Sequence, residues 1–195
     1  MSEPKVNVPS EPLTAVATAD PSAAVTGLYR GIMGQARRAE FFTELGVPDT
    51  LDGRFELLAL HAFLVMHRLK GRETGDTALS RELYEAMVND LDRSVREMGV
   101  SDLGVGRRVT TMVCGINGRV RAYDRGLAEG GEALLAALDN NLYGTVHQVP
   151  AGALAAMAGY LQAAAALLAE RSLEQLRREP PPFPPPPRLA GEPLS

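Results

Sequence analysis

Apolar side chains recur every three or four residues along most of the chain, which is the spacing of amphipathic helices. The first such pattern follows a candidate helix cap at Asp20 or Ser22 and reaches about Arg38, and a short second pattern covers 39–45. The third, at about 51–70, is apolar on nearly every face. Because a helix of that kind normally lies at the centre of a bundle, we expect it to be the core helix.

Four further helices are predicted after the core helix: one at about 76–99, one that starts at 101 or 102 and has an apolar stripe as far as Tyr123, one at 130–143 and one at about 150–178. Asp49, Thr50 or Asp52 can cap the core helix, and Gly99 suits the left-handed position that ends the next one. No strict alternation of apolar and polar residues and no internal repeat interrupts these patterns. The sequence therefore predicts an all-α fold, a single-domain bundle of about six main helices over residues 20–178.

The two ends of the chain differ from the helical part in composition. Residues 1–19 are rich in Pro, Ser, Thr and Ala and are expected to be disordered. Residues 179–195 begin with a proline run, and proline removes the backbone donor that a helix needs. We expect this second tail to be disordered, with its prolines in the polyproline II conformation. It is either a solvated tail, which we favour, or a segment that binds a partner.

Composition argues against several classes of protein. Apolar residues make up 45% and charged residues 23% of the 195 residues, and the net charge of −4 argues against a protein that coats nucleic acid. Cys114 is the one cysteine, so no intramolecular disulfide can form, as is usual in a reducing compartment. The N-terminus lacks the pattern of a secretory signal or transit peptide. Residues 151–169 carry their large apolar side chains on one stripe, as soluble helices do. Taken together, these features lead us to expect a bacterial cytoplasmic protein.

The residues that could carry chemistry do not form a catalytic or metal-binding pattern. His61 and His67 are six positions apart, so on one helix they diverge by about 240° and cannot share a metal ion as an i, i+4 pair does. His147 falls in a predicted loop. Cys114 has no second cysteine with which to form a redox motif and is expected to be a small packing residue. We therefore expect no catalytic residue, no cofactor and no metal.

One face of the helix predicted to start at Ser101 or Asp102 differs from an ordinary solvated face. Opposite the apolar stripe it carries arginines and small residues, namely Arg107, Cys114, Gly118, Arg121 and Arg125. Arg108 and Arg119 flank it. This is either a solvated charged face or a groove for a partner, since small side chains let another helix approach and arginines pair with acids or phosphates. Under the second interpretation the partner-binding residues are Arg107, Arg108, Cys114, Gly118, Arg121 and Arg125.

Several blocks of sequence, in a fixed order along the chain, resemble one known family. The blocks are FFTELGVPDT at 41–50, LDGRFELLALH at 51–61, MxxDLDR at 87–93 (x being any residue), REMGVSDLGVGRR at 96–108, GRVRAYD at 118–124 and NLYG at 141–144. Together they cover about residues 25–175 and are similar to the ubiquinol–cytochrome c chaperone family in its alphaproteobacterial form. The proline run is not part of this resemblance.

The resemblance implies an all-α, non-enzymatic chaperone that assists the assembly of ubiquinol–cytochrome c reductase, respiratory complex III. Its expected client is immature cytochrome b or another subunit of that complex. For a bacterial member the resemblance implies a peripheral location at the cytoplasmic face of the inner membrane and no small-molecule substrate. The mitochondrial relatives that it brings in act near the ribosome with a small partner protein, so a small partner and contact with the ribosome are further expectations. Two alternatives stay open from the residues alone: a ribosome- or RNA-associated module that uses the arginine-bearing face, and an enzyme or haem carrier.

Overall fold

Eight helices follow one another in the part of the chain that the computed structural model describes, residues 22–70, 74–97 and 102–189, and no strand occurs there. In chain order they are α1 (Ala23–Ala36), α2 (Glu40–Thr43), α3 (Leu51–Arg68), α4 (Thr74–Glu97), α5 (Asp102–Glu129), α6 (Gly131–Asn141), α7 (Ala153–Ala169) and α8 (Leu173–Arg178). The all-α prediction is confirmed. The disorder predicted for residues 1–19 and the helix stop predicted at Gly99 lie outside the described residues.

Hydrogen bonds show which of the predicted candidates cap α1 and α3. Ser22 caps α1, because its hydroxyl accepts a hydrogen bond from the backbone N–H of Val25 at 3.3 Å. Thr50 caps α3 in the same way, accepting from the N–H of Gly53 at 3.2 Å. Each hydroxyl satisfies a backbone donor that has no partner within its own helix. The next long helix, α4, begins at Thr74, slightly earlier than predicted.

α3 is the core helix, as its sequence predicted. Every residue from Phe55 to Val65 is buried, and α3 packs against α1, α4, α5 and α7. Because neighbours surround it, its apolar residues are not confined to one stripe. Two polar side chains in this run, Glu56 and His61, are buried with the rest. Burying a polar group without a hydrogen bond costs free energy. Both side chains therefore need hydrogen-bond partners inside the bundle.

The last predicted helix is in fact two helices, α7 and α8, and the prediction of a continuous helix is wrong. Ser172 starts α8 with a capping box: its hydroxyl accepts from the N–H of Gln175 at 3.2 Å, and its own N–H donates to the Gln175 side chain at 2.8 Å. At the same break, the guanidinium of Arg68 donates to the carbonyl oxygens of Leu168 and Arg171, at 3.0 and 3.1 Å. These contacts satisfy backbone groups that a continuous helix would have paired internally.

Residues 179–189 form no helix, as their prolines predict, but they are not a solvated tail. Pro181 and Pro186 are buried, and Phe183 is partly buried against the core. The expectation of a disordered tail is therefore wrong for this segment. Its rings are apolar and lose contact with water by packing on the bundle. Residues 190–195 lie outside the described residues.

Within the described ranges, none of the helices combines the length and apolar character needed to span a bilayer. α7, which is largely alanine, has 17 residues, whereas a span takes about 20. Its buried residues include Met157, Leu161 and Leu168, and α7 packs against α3 and α6.

Candidate partner-binding face

Burial divides α5 lengthwise into two faces. The buried side carries five apolar residues at helical spacing, namely Met112, Val113, Ile116, Val120 and Tyr123. This side packs against α3, α4 and α6. Near the end of α5, Gly126 allows a close approach, since a Cβ there would lie only 2.9 Å from the Cα of Leu134 on α6. The bundle therefore fixes the orientation of α5 and, with it, the direction of the opposite face.

The opposite face of α5 is exposed and carries five of the six residues that the sequence singled out: Arg107, Cys114, Gly118, Arg121 and Arg125. The side chain of Arg108 is outside the described part of the chain. Arg107 and Arg125 are separated by 18 residues, which is about 27 Å along a helix. No ion pair within the described residues engages the three arginines. We call these five residues the arginine face; its role in binding stays a prediction.

The middle of the arginine face carries only small side chains, at Cys114 and Gly118. A Cβ added to Gly118 would meet nothing within 4 Å, and Cys114 is exposed. The expectation that Cys114 is a small packing residue is therefore wrong, because the residue is exposed. Two small exposed residues one turn apart leave room for a partner helix to approach the backbone of α5 closely.

Arg119 does not share the exposure of the arginine face. Its Nε donates to Glu56 Oε2 at 2.6 Å, and a second guanidinium nitrogen donates to the other carboxylate oxygen. The guanidinium also lies over the ring of Phe55, 5.2 Å from its centroid. The hydrogen bond to Glu56 raises the pKa of Arg119 above its ordinary value. Arg119 thus joins α5 to α3 and belongs to the scaffold beneath the face.

A second polar contact joins the last turn of α3 and the residues just after it to α5, five residues beyond Arg119. Asp124 accepts a hydrogen bond from His67 Nδ1 at 2.8 Å and another from the ammonium group of Lys70. Burial acts to raise the pKa of Asp124, but the hydrogen bonds from Lys70 and His67 outweigh it and hold the pKa below its usual value. His67 is therefore engaged in an interhelical contact with a carboxylate.

His61 lies in a fully connected hydrogen-bond chain inside the bundle. Its Nδ1 is 2.7 Å from the carbonyl oxygen of Leu57, which can only accept, so Nδ1 carries the proton. Its Nε2 then accepts from the hydroxyl of Tyr160 at 2.7 Å, and that hydroxyl accepts from Gln35 Nε2 at 2.9 Å. Burial lowers the pKa of His61 to about 4, with the bond to Leu57 acting in the opposite direction. The ring is therefore neutral near pH 7.

The hydrogen bonds of His61 and His67 are evidence on whether these histidines bind haem or a metal ion. Both ring nitrogens of His61 already have partners, and a metal at Nε2 would have to displace the Tyr160 hydroxyl. His61 and His67 are not brought together at one site, because one meets Tyr160 and the other meets Asp124. Among the described residues, no group of three or more His, Cys, Asp or Glu side chains is placed to hold a metal ion.

Sequence reasoning missed Glu56, Tyr160 and Gln35. Glu56 had a usable signal, because it is the one carboxylate in the largely apolar run from Phe55 to Val65 and needs a cationic partner if it is buried. That signal did not reveal that the partner is Arg119, which is 63 positions away. Tyr160 and Gln35 had no local signal, since either residue is ordinary on a helix surface.

Comparison with known families shows that most of the described helices match one protein family. A sequence model of the family described as ubiquinol-cytochrome C chaperone matches residues 43–183. The match runs from the end of α2 through α8. It ends at Phe183 and so includes the first part of the proline segment, which the resemblance noted from the sequence had left out.

Individual relatives agree with the family match. The chain is 26% identical over 103 residues to ubiquinol-cytochrome-c reductase complex assembly factor 1 of Xenopus laevis, which covers 53% of this chain and 52% of that protein. It is 24% identical over 111 residues to the mouse protein of that name, covering 57% of this chain and 38% of the relative. The chain thus spans about half, or less, of the length of the curated relatives it matches.

A solved structure shares the fold. The crystal structure of the Cbp3 homolog from Brucella abortus matches with a TM-score of 0.70 and 36% sequence identity. The match covers 80% of this chain and 85% of that one. The helical arrangement described above therefore recurs in a relative whose structure was determined by experiment.

Proposed function

Because the chain belongs to the ubiquinol–cytochrome c chaperone family, we propose that it is a non-enzymatic assembly factor for ubiquinol–cytochrome c reductase, respiratory complex III. The observation that carries this proposal is the family match over residues 43–183, which takes in the core helix and the helix that bears the arginine face. The solved Brucella relative supports it, since the likeness extends over 80% of the chain.

The client in this proposal is immature cytochrome b or another complex III subunit, held at the arginine face. Arg107, Arg121 and Arg125 are exposed and have no ion-pair partner among the described residues, so each can pair with a carboxylate of a client. Gly118 and Cys114 leave space for close approach between them. Release requires no ATP. It requires only that the immature client binds more tightly than the mature one.

The setting of this activity is also part of the proposal. The protein would act at the cytoplasmic face of the inner membrane, where a membrane-protein client emerges, together with a small partner protein and close to the ribosome. It would need no cofactor and no small-molecule substrate. The names of the matched relatives refer to complex III assembly and give no support to a separate role as an RNA-binding module.

The test is deletion of the gene in its own organism, grown under conditions that require complex III. Reduced-minus-oxidised spectra of the membranes and immunoblots for cytochrome b measure the outcome. We expect both signals to fall strongly and to recover when the wild-type chain is supplied from a plasmid. Normal cytochrome b and complex III in the deletion strain would overturn the proposal.

A further inference from the structure

A proline strap, residues 180–187, lies against two helices of the bundle, α1 and α3, beside a third, α7. It contacts α1 at Gly31 and Gln35, and it reaches α3 at His61. Tyr160 of α7 borders the same place through its hydrogen bonds to Gln35 and His61. We call Gly31, Gln35, His61 and Tyr160 the strap groove. None of these residues belongs to the arginine face.

One end of the groove is formed by the absence of a side chain. A Cβ at Gly31 would lie 2.5 Å from Cδ of Pro181, closer than such atoms can pack, and 3.3 Å from Cβ of Pro180, which is a tight contact. The neighbouring glycines of α1 differ, because a Cβ at Gly27 or Gly34 would meet nothing within 4 Å. Gly31 is therefore the one of the three at which the missing side chain makes room for the strap.

The other residues of the groove contact a backbone carbonyl group and an aromatic ring of the strap. Gln35 Nε2 donates to the carbonyl oxygen of Pro184 at 2.8 Å, and its bond to Tyr160 holds the amide in place. The ring of Phe183 meets His61 edge to face, with centroids 5.1 Å apart and planes at 87°. His61 in turn contacts the rings of Phe41 and Tyr160. Aromatic-lined grooves with a polar donor are a recurring way to bind proline-rich segments.

The strap is held in a way that permits exchange. Its seven prolines have no N–H, so it cannot form a ladder of backbone hydrogen bonds with the bundle. Within the described residues, the bond from Gln35 to Pro184 is the one that ties the strap's backbone to a helix. Prolines also restrict the chain before it binds, so little conformational entropy is lost on docking. Another segment with the same chemistry can therefore make the same contacts, although as a separate chain it also loses translational freedom on binding.

We infer that the strap groove is a binding site for an extended, proline-rich segment that carries one aromatic ring, and that the chain keeps it filled with its own residues 180–187. The strap is then a displaceable occupant, and a second polypeptide with a matching segment competes with it. This inference does not depend on the assignment to complex III assembly, because it rests on the contacts of the strap alone.

A tryptophan at position 183 tests displacement in the full chain. The protein has no tryptophan, so Phe183→Trp introduces a single reporter on the strap. We expect blue-shifted emission in this variant, and a red shift toward the emission of the urea-unfolded chain when Gly31→Ala is added. Adding Gly34→Ala instead should leave the emission unchanged, because that position has open space. Both alanine variants should stay folded by circular dichroism, since alanine favours helix.

Peptide binding tests the groove directly. The probe is a labelled synthetic peptide of residues 179–189, with a second peptide that has alanine at position 183. The tethered strap competes at an effective concentration of about a millimolar, so the wild-type chain should bind the first peptide only weakly. The full-length Phe183→Ala chain, whose own strap is weakened, should bind it about tenfold more tightly. Adding Gly31→Ala should abolish this binding.

Three results would overturn the inference. The first is an emission spectrum that Gly31→Ala leaves unchanged, since the strap would then not depend on the groove. The second is equal affinity of wild-type and Phe183→Ala chains for the labelled peptide. The third is equal binding of the peptides with phenylalanine and with alanine, which would show that the groove does not recognise the aromatic ring.

Discussion

Arg119 on α5 and Glu56 on α3 form a two-pronged ion pair at the boundary of the core. The carboxylate side chain is 10% exposed and the guanidinium side chain 21% exposed. Both carboxylate oxygens accept from the arginine, and the ring of Phe55 covers the guanidinium. The pair therefore connects the core helix to the helix that carries the arginine face, and it fixes the rotation of α5 about its axis.

Glu56→Gln should destabilise the protein by about 2 kcal/mol, because it keeps the shape but leaves the partly buried cation of Arg119 without its counter-charge. Urea denaturation monitored by circular dichroism measures the loss. The control is Glu85→Gln, which removes a helix-surface pair with Arg81, a side chain that is 70% exposed. That change should cost less than about 0.5 kcal/mol. Equal losses in the two variants would mean that the Glu56–Arg119 pair does not hold the helices together.

Local patterns predicted the fold well where local chemistry decides it. Helix positions followed from apolar spacing, and Ser22 and Thr50 were among the predicted caps because their hydroxyls can reach the first turn. The break between α7 and α8 escaped prediction in part because Arg68 stabilises it from another helix. The docked proline segment escaped for a similar reason, since its groove is assembled from three separate helices.

His61 should make the protein less stable in acid. Its pKa is about 4 in the folded protein against an ordinary value of 6.5. Between those two pH values the unfolded chain binds a proton that the folded chain does not, so stability falls as the pH drops from 6.5 towards 4. The full shift corresponds to about 3 kcal/mol. Urea denaturation at pH 7.0 and at about pH 4.5 should show most of this loss.

Two variants separate His61 from other acid effects. His61→Gln removes the titrating group, so the difference in stability between the two pH values should shrink, whatever the variant's stability at neutral pH. His147→Gln changes an exposed histidine and should leave the wild-type pH dependence intact. A pH dependence that is the same in the His61→Gln and wild-type chains would contradict the prediction.

Charge reversal on the arginine face should reduce client capture without unfolding the domain. The variant combines Arg107→Glu, Arg121→Glu and Arg125→Glu, all at exposed positions. Co-purification of cytochrome b from membranes measures capture, and thermal unfolding measures integrity. We expect capture to fall at least tenfold, which corresponds to about 1.4 kcal/mol spread over three lost ion pairs.

A control for the arginine face must change the net charge equally. Arg30, Arg37 and Arg177 are also exposed but lie on α1, directly after it, and on α8. Reversing these three to Glu should leave cytochrome b capture close to wild type. If both triple variants lose capture to the same extent, the effect comes from net charge and not from the arginine face. Arg119 is unsuitable for either set, because its reversal would disrupt the pair with Glu56.

The exposed side of α5 could be predicted from the sequence because helical periodicity places Arg107, Cys114 and Arg121 together. The same periodicity placed Arg119 only at the edge of that side. Its role depends on its long side chain, which extends to α3. Helical periodicity does not describe how far a side chain extends. Whether a residue at the edge of a helix face serves a partner or the scaffold depends on contacts distant in sequence.

Gly118→Ala should move stability and client capture in opposite directions. Gly118 lies within α5, and a Cβ there meets nothing within 4 Å, so alanine should stabilise the helix by about 1 kcal/mol. If a partner approaches α5 at this point, the added methyl group lies in its path and capture of cytochrome b should fall. Gly34→Ala on α1 is the matched control, exposed and equally open. It should gain similar stability with unchanged capture, whereas capture retained in both variants would place the client elsewhere.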